Sequence, residues 1–70
     1  MKHGARNDIP ATVTAIKRGD VMAQVEVELV GTAYRMASVM TVDSLEELGL
    51  REGDTVPVLA EAVNVLLVKP

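Results

Sequence analysis

The sequence predicts an all-β domain of five short strands, with one short helix between the third and the fourth. Three observations predict it. Apolar and polar residues alternate, most cleanly in "VMAQVEVELV", where Gln24, Glu26 and Glu28 oppose Ala23, Val25, Val27 and Leu29. Glycine pairs interrupt the alternation at Gly19-Asp20 and Gly31-Thr32, at the spacing of a tight-turned meander. One further interruption, "TVDSLEELGL", has helical rather than two-residue spacing.

Residues 9–18, "IPATVTAIKR", form the first strand, with Ile9, Ala11, Val13 and Ala15 on one face and Thr12 and Thr14 on the other. Residues 21–30 form the second. "AYRMASVM", residues 33–40, is the third, with Arg35 expected in solvent. In the helical stretch Ser44 and Glu47 have capping-box spacing and Leu45 and Leu48 are three apart. Gly49 stands where a helix would end, so the helix is a turn or two long. "REGD", residues 51–54, is a charged turn. "TVPVLAEAVNVLLV" then resumes strand chemistry: Pro57 suits an edge or a strand start, and Asn64 divides the stretch into a fourth and a fifth strand. The order β-β-β-α-β-β is that of a small OB-like barrel.

Seventy residues make a single domain with little core to spare. A chain of this size hides only about 60% of the surface it exposes when unfolded. There is no cysteine and one histidine, His3, so neither disulfides nor a structural zinc site can make up the deficit. The chain is 49% hydrophobic with Tyr34 as its one aromatic, so short side chains must fill a thin core. Self-association is the remaining support. A net charge of −3 and a single aromatic argue against a nucleic-acid partner. No apolar run reaches the roughly 20 residues of a membrane span, and no signal-peptide pattern opens the chain, so a cytoplasmic protein is expected.

No catalytic constellation is present. His3 has no nucleophile pattern around it, and the carboxylates fall on strand faces or in the helix. The sequence therefore predicts a protein that is not an enzyme. Oxyanion binding has better support. Arg6 is a planar, permanently charged donor between small residues that leave the backbone N–H groups approachable. Thr41 and Ser44 fall at the helix entry, where N–H groups are unpaired and a hydroxyl can donate to an anion. The plainer alternatives are that Ser44 only caps, that Thr41 only ends a strand, and that Arg6 is an inter-subunit salt-bridge partner.

"ARN" ahead of the first strand, "MTVDSLEELGLREGD" in the middle and the closing strand pair resemble the molbindins. These are small molybdate-binding proteins of one Mop domain, related to the TOBE domains of molybdate transporters and regulators. The resemblance runs from His3 to Lys69, so residues 1–70 are read as one Mop/TOBE-like domain. It implies a strand-exchanged OB-like barrel, with three dimers forming a hexamer. It also implies molybdate or tungstate bound at subunit interfaces, with no organic cofactor. The family's oxyanion-binding positions fall here on Gly4, Ala5, Arg6 and Asn7 of one chain, on Thr41 and Ser44 of another, and on Glu61 and Ala62 near the C-terminus. Two positions depart from the pattern. Gly4 stands where a serine is frequent, and Glu61 stands where a lysine is usual, which opposes a dianion. Family sites near the threefold axis, built largely from backbone groups, are indifferent to that change. The resemblance implies oxyanion storage or homeostasis. The alternative is a structural or regulatory oligomeric module whose oxyanion site Glu61 has weakened and which binds another ligand or a protein.

Overall fold

The computed structural model describes residues 7–70. Four strands and one helix follow in order: β1 (Asn7–Arg18), β2 (Met22–Leu29), β3 (Arg35–Thr41), α1 (Val42–Leu48) and β4 (Thr55–Ala60). A single 3-10 turn, Ala62–Asn64, comes last. The strands form one antiparallel sheet in the order β3-β2-β1-β4, curled into a half-barrel.

The length of β1 explains the curl. Its first half, Asn7 to Thr12, pairs with β4, and from Ala11 onward it pairs with β2. One strand thus serves two partners over different stretches, and the sheet must wrap around it. Pro10 faces Pro57 across the β1–β4 pair. Neither has an N–H, so the pair survives only where both nitrogens point away from the shared ladder. Pro57 lies on an edge strand, as its chemistry requires.

Alternation along β1 slips once. Val13 opposes Val27 and Ala15 opposes Glu26, so Thr14 is an extra residue, a β-bulge, and its hydroxyl donates to the Glu26 carbonyl at 3.2 Å. The slip corrects the expected inner face. Ala11 and Val13 point inward, but beyond the bulge it is Ile16, not Ala15, that packs on the core.

The core is as thin as the composition demands. Among the described residues it consists of Ala11, Val13, Ala23, Val25, Val27 and Leu45. Leu45, from α1, is the one leucine, and it covers the inner face that β1 and β2 supply. Arg35 is exposed, as expected, and lies 3.8 Å from Glu28.

Among the described residues the barrel does not close. The expected fifth strand is absent there: Val65 to Pro70 are in no strand, and Leu66 and Leu67 are 84% and 88% exposed. The strand-forming residues are there, but a strand exists only against an edge, and this segment is paired with none among the described residues.

Candidate functional site

Seven residues are too few for a helix to be stable alone, so α1 depends on its ends and on Leu45. At its start, the Val42 N–H donates to the Val21 carbonyl at 2.7 Å, which fixes the helix to the β1–β2 turn. At its end, Gly49 adopts φ 65° and its N–H reaches the Leu45 and Glu46 carbonyls, as expected of a glycine in that place. Arg18 lies 3.3 Å from Glu46 and ties the last residue of β1 to the helix.

The cap differs from the sequence expectation. Thr41, the last residue of β3, is the N-cap, and its Oγ1 accepts the Ser44 N–H at 3.1 Å. Ser44 lies inside the first turn. Thr41 Oγ1 also donates to Ser44 Oγ at 2.9 Å. The threonine hydroxyl is thereby used twice, while the serine proton remains available to a ligand. Both residues are exposed.

The other candidate residues lie elsewhere. Gly4, Ala5 and Arg6 are outside the described residues. Asn7 opens β1 opposite Ala60, and its Nδ2 donates to the Ala60 carbonyl at 3.2 Å. Glu61 and Ala62, both exposed, follow directly, with Glu61 preceding the 3-10 turn without a side-chain capping bond. Asn7, Glu61 and Ala62 are therefore neighbours at one end of the sheet.

Thr41 sits at the other end. It opposes Met22, and Ala23 in turn opposes Arg18, the last residue of β1. At about 3.3 Å per residue, the 12 residues of β1 separate the two groups by roughly 35 Å along the strand. Hydrogen bonds reach about 3 Å, so one chain cannot bring both groups to one small anion. Arg18, which nothing in its sequence context singles out, is the cation the fold places at the Thr41 end.

An apolar cleft is a different feature. A cleft of about 440 Å³ opens between β3 and β4 and is lined by Met36, Met40, Leu48, Leu50, Val58 and Leu59 among others. Ser38 is the one polar residue in its lining among the described residues. Such a wall offers an oxyanion almost no donors, but it suits an apolar stretch of polypeptide.

A small antiparallel half-barrel with a capped helix between its third and fourth strands is a TOBE-type architecture, and the TOBE domain model matches residues 4–67. Molybdenum-pterin-binding proteins 3 and 2 of Clostridium pasteurianum are each 33% identical over 67 residues, covering 96% of this chain and 97% of theirs. Among solved structures, a molybdate binding protein from Sporomusa ovata superposes with a TM-score of 0.88 at 36% identity. It covers 99% of this chain and 100% of its own. The cytoplasmic molybdate-binding protein ModG, with molybdate bound, gives a TM-score of 0.80 at 39% identity, covering 89% of this chain and 43% of ModG. This chain belongs to the TOBE-domain family and is a nearly full-length homologue of its small Mop proteins, the molbindins.

Proposed function

We propose that this protein binds molybdate or tungstate between subunits, as a cytoplasmic store that does not transform its ligand. The observation that carries the reading is the hydroxyl pair at the helix entry. Thr41 is occupied in holding Ser44, and Ser44 keeps a proton to donate at the entry of α1. A tetrahedral dianion is the ligand such donors suit, with Arg6 of another chain as the charged partner. Molybdate and tungstate are preferred over sulfate because the charge is the same and the larger anions fill a wider ring of donors.

The wide separation of Asn7 from Thr41 supports a site made by two chains. Assembly has separate support in the open cleft and the unpaired Val65–Val68 segment, which fit an exchange of that segment between two copies. Three such pairs would make the hexamer that the family resemblance implies.

Isothermal titration with molybdate, tungstate and sulfate tests the proposal. Strong binding of the first two and weak binding of sulfate is expected; no heat from any of the three ends it.

One observation favours a second reading, that of an assembly module with a weakened oxyanion site. Glu61 directly follows Ala60, the residue that Asn7 bonds, so it lies at the same sheet end as Asn7. Replacing Glu61 with lysine separates the readings. A store should bind molybdate before the change and more tightly after it, whereas a silenced module should bind only after it.

A further inference from the structure

Residues 61–64 connect β4 to an apolar segment that is already extended, Val65 having φ −93° and ψ 118°. The connection is one 3-10 turn, closed by the Asn64 N–H to the Glu61 carbonyl at 2.9 Å and the Val65 N–H to the Ala62 carbonyl at 3.2 Å. A four-residue connection is a common hairpin length, most often built around a turn of this kind, and in the related three-residue loop such a turn is followed by a residue in the left-handed region. That last element is missing here. Among the described residues only glycines have positive φ, so Asn64 does not. Val65–Val68 forms no ladder with β4.

Asparagine is one of the few residues other than glycine that enters the left-handed region readily. Were Asn64 to do so, Val65–Val68 would return antiparallel to β4. Strand directions then settle where it lands. β1 and β3 run one way and β2 and β4 the other, so a segment returning from β4 runs parallel to β3. It would lie between the two free edges and over the apolar cleft, closing the barrel within one chain.

We propose that Asn64 is a conformational switch, deciding whether Val65–Val68 closes the cleft of its own chain or that of a second copy. With the right-handed turn observed, Val65–Val68 is in no strand and Leu66 and Leu67 are 84% and 88% exposed, so the segment is open to another chain. In the left-handed alternative it is used internally and the chain stands alone. The inference rests on the exchange-paired assembly proposed above, but not on any oxyanion being bound.

Sedimentation of the full chain without oxyanion tests it, comparing wild type with Asn64→Gly and Asn64→Val. Glycine enters the left-handed region freely, while a β-branched residue is nearly barred from it. Dissociation to a 7.5 kDa monomer should be easier for Asn64→Gly than for wild type, by about tenfold in dissociation constant. Asn64→Val should shift as far the other way. The Asn64→Gly monomer should also protect the amides of Val65 to Leu67 from hydrogen exchange, since they would be paired with β4. Equal assembly in all three proteins overturns the proposal, as does a monomer with those amides unprotected. A wild type that is monomeric at every concentration overturns the exchange reading as well. Failure to bind molybdate would leave this result untouched, so the two proposals fail separately.

Discussion

The two halves of the sheet differ in how well they are finished. Where β1 and β2 run together, Val13 and Val25 are almost wholly buried, in one cluster with Leu45 of the helix. Between β3 and β4 the same curl leaves a cleft whose wall includes Met36 and Leu59, 40% and 46% exposed. Both halves are built from alternating strands of similar composition. The difference lies in what surrounds them: Val13 and Val25 line the cleft from within the curl, whereas its rims on β3 and β4 have no further strand over them among the described residues. Apolar pattern makes a surface ready for burial; another element has to perform the burial.

That comparison can be broken most forcefully at Leu45. Leu45→Ala should destabilise the fold by about 2–5 kcal/mol, independent of protein concentration, because the cavity lies inside one chain. Urea denaturation at two concentrations measures it. Leu67→Ser removes a comparable side chain from the unfinished half. It should weaken assembly by roughly 1.5–3 kcal/mol per chain, visible only as a concentration dependence of sedimentation. An identical loss in dilute, monomeric protein would show that the segment is buried internally.

Thr41→Val sharpens the picture at the site. Losing the cap should cost about 1 kcal/mol of stability, and Ser44 should lose its hydroxyl partner as well. Ser44→Ala, which leaves the Thr41 cap acceptor in place, should weaken oxyanion titration without a matching fall in melting temperature. At the small end, Lys17→Ala removes an ion pair with Glu26 whose lysine is 70% exposed. Its effect on stability should stay within about 0.5 kcal/mol.

Much of the fold is legible in the residues. Gln24, Glu26 and Glu28 mark the outer face of β2 by simple alternation, and Gly49 ends the helix where its lack of a side chain permits. Thr41 and Ser44 are recognisable as a helix entry, although their roles are the reverse of what the capping-box spacing suggests. Two threonine bonds decide that, and the Ser44–Glu47 spacing does not encode them. The slip at Thr14 was equally hidden. A bulge belongs to a pair of strands, and β1 read alone carries no sign of how β2 will align with it. The fifth strand fails for a related reason, since Val65–Val68 has strand chemistry but is paired with neither free edge, that of β3 or that of β4.

By itself, the order of residues determined the all-β class, the turns, the helix and its end, a thin core of short side chains, and the candidate donors. These depend on neighbours a few positions apart, whose sterics and hydrogen bonds act whatever the rest of the chain does. Only the tertiary structure decided the register. Through it came the placing of Asn7 beside Ala60, of Thr41 at the far end, and of an open cleft between β3 and β4. Register is a property of distant segments aligned under one shared curl, and no local pattern contains it.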